Sequence, residues 1–202
     1  MAPLSYLVAA VIGYLLGGIP TGMLVARARG VDLTRVGSKR TGATNVLRTL
    51  GPAAAATVFL GDFLKAVVAV VAASWLFGDS WANVVAAIAA VIGHGYSPYI
   101  GFRGGRGVTP GLGGLAVISW WIFLLALGTG VVVIALTRFV SLGSMLGTLV
   151  AAAVLVYMVG VAGWPVAYVL FAIGAAAFIL ASHRDNIKRL VQGRERKLGE
   201  AA

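Results

Sequence analysis

Apolar residues fill this chain in long stretches, separated by short segments rich in glycine and arginine. Residues 107–137 contain no Asp, Glu, Lys or Arg, and neither do residues 139–182. Two further apolar runs cover residues 4–26 and 52–77, the second broken only by Asp62 and Lys65. Another begins near Trp81 and ends around Tyr96. Such runs predict helices that cross a bilayer, whose hydrocarbon core is about 30 Å thick and takes about 20 helical residues. The predicted fold class is all-α: a polytopic membrane protein with about seven transmembrane helices, some of them short or broken. Residues 1–202 are expected to form a single integral membrane domain.

Charge placement supplies the count. As one helix, run 107–137 would be about 46 Å long at 1.5 Å per residue. That is too long for one span and short for two, so a break at Ser119-Trp120-Trp121, or at Gly128 and Gly130, predicts a hairpin of short half-spans. Run 139–182 carries a Gly163-Trp164-Pro165 turn signal and reads as two spans. The basic residues fall after the first span, after the third, at Arg138 and in the tail, with only Lys65 inside a span. Placing the loop cations on the cytoplasmic side requires seven crossings, with the N-terminus outside and the C-terminus inside. Asp79 is then the one charged residue outside. The N-terminus lacks a charged segment and an obvious cleavage site, so residues 4–26 are expected to be a retained span.

Composition narrows the chemistry. With 60% hydrophobic residues and a mean hydropathy of +0.97, a 202-residue soluble domain could not hide its apolar surface. The net charge of +10 follows from the positive-inside rule, so no nucleic acid partner is implied. The absence of cysteine removes disulfides, thiolate nucleophiles and Cys-ligated metals. His94 and His183 have no carboxylate at ligand spacing, so neither a metal nor another cofactor is expected.

The loops hold the candidate chemistry. In the first, Gly37 and Gly42 flank Ser38, Lys39, Arg40 and Thr41. Small residues let the backbone approach a ligand, and successive N–H groups can cradle phosphate oxygens. Residues 43–50 read as a helix with Thr44, Asn45 and Arg48 on one polar face, an arrangement suited to an anion. In the second loop four glycines and two arginines fall within residues 101–107, and arginine binds phosphate bidentately. Ser141 and Ser144 follow Arg138, where Ser141 could also simply cap the next span. His183 and Asn186, spaced i, i+3, would share a helix face at the mouth of the last span. Asp62 and Lys65 share the same spacing inside the second span and read first as a structural ion pair.

These segments, taken in order, resemble the bacterial acyl-phosphate-dependent glycerol-3-phosphate acyltransferases, an integral membrane family. The likeness rests on Gly18-Ile-Pro-Thr-Gly22, Val36-Gly-Ser38, Thr41-Gly-Ala-Thr-Asn-Val-Leu-Arg-Thr-Leu-Gly51 and Gly61-Asp-Phe-Leu-Lys65. It continues through Gly93-His-x-Tyr-Ser97, Gly104-Gly-x-Gly107, Ser141-Leu-Gly-Ser144 and His183-x-x-Asn-Ile-Lys-Arg-Leu190. Lys39-Arg40 stands where the family usually has Gly-Asn, and Arg103 and Arg106 stand where it usually has lysine. The resemblance implies transfer of a fatty acyl group from acyl phosphate to the 1-hydroxyl of glycerol 3-phosphate, giving lysophosphatidic acid and phosphate. It implies catalytic roles for Ser38, His183 and Asn186. Substrate binding would fall to Thr44, Asn45, Arg48, Arg103, Gly104, Gly105, Arg106, Ser141 and Ser144, with Arg48 and Arg106 on the two phosphates. The expected setting is the bacterial cell membrane, with membrane lipid as neighbour, the active-site loops cytoplasmic and the chain a monomer. A transporter of an organic phosphate is the rival; it would place its binding groups near the midplane. An acyl-CoA enzyme with an His-x4-Asp signature finds no such motif here.

Overall fold

The structure, a computed structural model, describes residues 3–200. Among them the regular elements are helical: α1 (Pro3–Gly18), α2 (Thr21–Arg27), α3 (Ala43–Leu50), α4 (Pro52–Phe77) and α5 (Ser80–Gly95). They continue as α6 (Val108–Ile118), α7 (Trp120–Thr137), α8 (Val140–Ala162), α9 (Ala167–Ser182) and α10 (Arg184–Val191), with a single 3-10 turn at Pro98–Ile100.

Four segments are long and apolar enough to cross a bilayer: Pro3–Arg27, α4, α7 and α8, with mean hydropathies of 1.8 to 2.3. α9, which turns by 60° into the polar α10, is a fifth apolar segment, and α5 and α6 are shorter apolar helices. Among the described residues the apolar segments therefore number seven, and the short α5 and α6 fall where the third span and the run 107–137 were expected to be short. Run 107–137 breaks at Ser119, whose backbone is extended and which precedes α7 without a side-chain cap bond. At the Gly163 turn the glycine takes φ 66° and ends α8. The first run differs from expectation: it divides into α1 and α2 at Ile19-Pro20, because Pro20 has no N–H to continue the ladder.

Small residues set the packing. A Cβ on Gly13 or Gly17 of α1 would strike the carbonyl oxygens of Ala86 or Ala90 on α5, so these backbones touch. Such close approach is how membrane helices gain dispersion energy without a hydrophobic drive between them. Gly143 and Gly147 of α8 meet Gly130 and Ala126 of α7 in the same way. A core of Val70, Val84, Leu115, Ile122, Leu155 and Phe171 joins α4 to α9. Outside it, Trp75, Leu136, Tyr157 and Val161 lie exposed, an apolar surface suited to lipid rather than water. The amphipathic helices α3 and α10 carry the polar residues and sit at span ends.

Candidate active site

The chain's polar loops meet at one cavity of about 250 Å³. Ser38, Thr44, Asn45 and Arg48 line it from the first loop and α3, and Gly105 and Arg106 from the second loop. Ser141 and Ser144 of α8 and His183 and Asn186 at the α9–α10 bend complete the polar end. The lining then turns apolar, through Leu115, Val131, Ile134, Leu155 and Ile179. One end is cationic and the other oily, which is the shape of a phosphate headgroup bearing an acyl chain.

Local folding explains how each group arrives. Asn45 holds the first loop closed: its Oδ1 accepts from Ser38 N at 2.9 Å, and its Nδ2 donates to the carbonyl oxygens of Arg40 (2.9 Å) and Val36 (3.3 Å). The amide expected to bind substrate is therefore spent on shaping the loop. The second loop folds back on the end of α5, with Ser97 N donating to Arg103 O and Gly105 N to His94 O. Ser97 Oγ ties it to Gly18 O at 2.6 Å. Gly107, at φ 84°, starts α6 with no side-chain cap. Gly107, Val108 and Thr109 at the start of this helix line the cavity, and a helix N-terminus favours an anion.

Arg106 stands beside them. Its Nε is buried without a partner among the described residues. Burial, reinforced by the charges of Arg40 and Arg189, lowers its guanidinium to about 10, still charged at neutral pH. Burial and then Arg196 likewise lower Arg48, whose Nη2 donates to Arg196 O at 3.3 Å. A buried cation with a free donor is stabilised by an oxyanion.

His183 is 2% exposed, and its Nδ1 lies 2.8 Å from the Ile179 carbonyl oxygen. A carbonyl only accepts, so Nδ1 carries the proton and Nε2 keeps a lone pair. Burial first, and then the nearby Arg106 and Arg40, push the ring down to about 4 against the opposing carbonyl. His183 is neutral at physiological pH.

The tail supplies a residue that the motifs did not single out. Glu195 is buried at the polar end of the cavity, where Oε1 accepts from Asn186 Nδ2 (2.6 Å) and Ser141 Oγ (2.8 Å). Oε2 accepts from Arg189 Nε at 2.7 Å. Burial opposes its charge, but these donors outweigh it and hold the carboxyl below the usual range. Ser141 is thus committed to Glu195 rather than free for substrate. Arg40, whose side chain faces the cavity, was grouped only with the loop's positive charge. Arg103 and Gly104 fall outside the lining: Arg103 is exposed, and Gly104 is pressed against the His94 carbonyl, where a Cβ would not fit.

The chain is a polytopic helical bundle whose basic, glycine-rich loops open onto a cavity with a polar and an apolar lining. The family model described as Glycerol-3-phosphate acyltransferase matches residues 7–193, and the chain belongs to that family of acyltransferases. Two relatives bear the name "Glycerol-3-phosphate acyltransferase", in one case followed by "1". The Synechococcus sp. (strain JA-3-3Ab) protein is 46% identical, covering 98% of this chain and 95% of its own. That of Deinococcus radiodurans is 45% identical, covering 98% of both. The crystal structure of PlsY, an integral membrane glycerol 3-phosphate acyltransferase, in its glycerol 3-phosphate form superposes with a TM-score of 0.89 at 39% identity, covering 96% of each chain. Its lysophosphatidic acid form gives 0.87 at 38%.

Proposed function

We propose that this protein transfers a fatty acyl group from acyl phosphate to the 1-hydroxyl of glycerol 3-phosphate, releasing lysophosphatidic acid and inorganic phosphate. One observation carries the reading: Arg48, Arg106 and His183, from three separate segments, face a single cavity that runs on into an apolar groove. Both reactants carry phosphate, and the donor also carries an acyl chain. Arg48 and Arg106 hold the two phosphates, with Ser38, Thr44 and the amides at the start of α6 assisting. Asn45 and Ser144 shape the walls.

The acyl phosphate is already activated, so no covalent enzyme nucleophile is required. The glycerol hydroxyl attacks the acyl carbonyl carbon, a C–O ester bond forms, and the bond from that carbon to the phosphate oxygen breaks. His183 Nε2 accepts a hydrogen bond from the attacking hydroxyl and orients it. The departing inorganic phosphate, whose second ionisation lies no lower than the roughly 6 of a phosphate monoester, is a stronger base than a ring held at about 4, so the proton ends on phosphate. Asn186, one turn on and anchored by Glu195, fixes the adjoining wall. Most of the rate comes from orientation and charge neutralisation.

The loops and the C-terminus lie on the cytoplasmic side of a bacterial cell membrane, with the N-terminus outside, a reading supported by the distribution of lysine and arginine. Every residue assigned to the site comes from one chain, so a monomer suffices. A phosphate transporter is disfavoured because its binding groups would come from broken helices at the midplane, whereas Arg48 and Arg106 come from the segments that join the long apolar helices. The test is stoichiometry: purified protein with palmitoyl phosphate and glycerol 3-phosphate should release one inorganic phosphate per lysophosphatidic acid. Phosphate release independent of glycerol 3-phosphate would refute the transfer.

A further inference from the structure

His94 also lines the cavity, yet the reaction described above gives it no task. It sits in the last turn of α5, 6% exposed, against Lys65 and Asp62 of α4. Lys65 Nζ lies 2.7 Å from the Ile19 carbonyl oxygen, 2.7 Å from Asp62 Oδ1 and 3.1 Å from His94 Nδ1. An ammonium group has three hydrogens and accepts none. These contacts use all three, so His94 Nδ1 is an acceptor. The Asp62 Oδ1 to Nδ1 distance of 3.5 Å is too long to compete for that position.

A neutral imidazole that accepts at Nδ1 carries its proton on Nε2. That atom has no hydrogen-bond partner among the described residues. It lies against the backbone of the phosphate loop, since a Cβ added to Gly105 would fall on His94 Nε2. The chain's two histidines are therefore held in opposite tautomers at one cavity. His183 offers a lone pair and His94 offers a hydrogen. A neutral donor beside a cationic loop recognises an anionic oxygen without adding charge.

We propose that His94 is a substrate-binding residue that donates an Nε2–H hydrogen bond to a phosphate oxygen held by Arg106. Lys65, backed by Asp62, is the positioning residue that fixes this tautomer. The proposal rests on the reading of the substrates as phosphates. It turns the buried ion pair of α4 from a helix tie into part of the binding site.

The chain has only two histidines, so ¹⁵N-histidine NMR of the purified protein in detergent separates them, with His183→Asn for assignment. The expected spectrum shows His94 protonated at Nε2, with that signal moving when glycerol 3-phosphate or inorganic phosphate is added. A response to glycerol 3-phosphate assigns the acceptor's phosphate, and a response to inorganic phosphate alone assigns the donor's. An Nδ1-protonated ring, or a signal that neither ligand moves, overturns the proposal. A variant pair adds a second readout. His94→Gln keeps an acceptor for Lys65 and a donor toward the loop, so it should retain affinity for the responding ligand. His94→Phe keeps the ring alone and should weaken it at least about tenfold. Equal behaviour of the two variants also overturns it. A normal NMR response without turnover of palmitoyl phosphate would instead refute the acyl-transfer reading.

Discussion

Asn186 Nδ2 lies 2.6 Å from Glu195 Oε1, so an acid in the C-terminal tail holds an amide that faces the cavity. The tail is itself fastened. Leu198 N donates to the Arg138 carbonyl oxygen at 2.6 Å, and Arg138 Nη2 donates to Leu198 O at 2.7 Å. Residues after α10 are thus a wall of the pocket.

Glu195→Ala should therefore lose both activity and stability. It strips acceptors from Asn186, Ser141 and Arg189 at once. Losing a hydrogen-bonded buried charge of this kind costs about 2 kcal/mol. We expect at least a tenfold fall in turnover and a lower unfolding temperature, with Glu195→Gln less severe in both. Wild-type turnover in Glu195→Ala would show the tail to be dispensable.

Arg106→Ala and Arg48→Ala should abolish measurable turnover while the protein still inserts and purifies normally. Arg106 has a buried Nε with no protein partner, so its removal costs binding of an oxyanion rather than a structural bond. Losing one charged donor to a developing negative charge costs about 10²–10³ in rate. Full activity in purified Arg106→Ala would remove the phosphate clamp.

His183→Ala should fall at least about tenfold in rate. The pH dependence of stability adds a second check. The ring is held at about 4 when folded, against about 6.5 unfolded. Between these values the unfolded chain binds more protons, so this contribution to stability is complete above about pH 6.5 and is lost as pH falls towards 4. Thermal unfolding scans from pH 7.5 to 4.5 should show that decline in the wild type and a shallower one in His183→Ala. Identical slopes would mean that the ring titrates freely.

Much of this was legible in the sequence, and the reasons differ by element. The spans were legible because unpaired charge in a bilayer is costly, so charge-free runs and cationic loops mark crossings directly. Length required a break in run 107–137 but did not choose between Ser119 and the Gly128–Gly130 pair, which lies inside α7, whereas the Gly163 turn followed from glycine–proline chemistry. The split at Pro20 was hidden because the run around it stays apolar. In the site, Arg48, Arg106, His183 and Asn186 share one cavity as the motifs implied. The bonds of Asn45 and Ser141 were not legible, because a polar side chain reads the same whether it meets a ligand or a backbone. Glu195 had no signal of its own: its role depends on the tail folding back, and no local pattern encodes that return.

Orientation can be read with single cysteines, since the native chain has none to interfere. Asp79→Cys should react with an impermeant maleimide added outside intact cells. Arg194→Cys should react only after the membrane is opened. The reverse pattern would invert the topology and place the site on the outer face.

The donor is the central claim, and one assay decides it. Purified protein is given labelled glycerol 3-phosphate with either palmitoyl phosphate or palmitoyl-CoA, and labelled lysophosphatidic acid is measured. The pocket described here predicts product from palmitoyl phosphate and none above background from palmitoyl-CoA. Product from palmitoyl-CoA alone would contradict it.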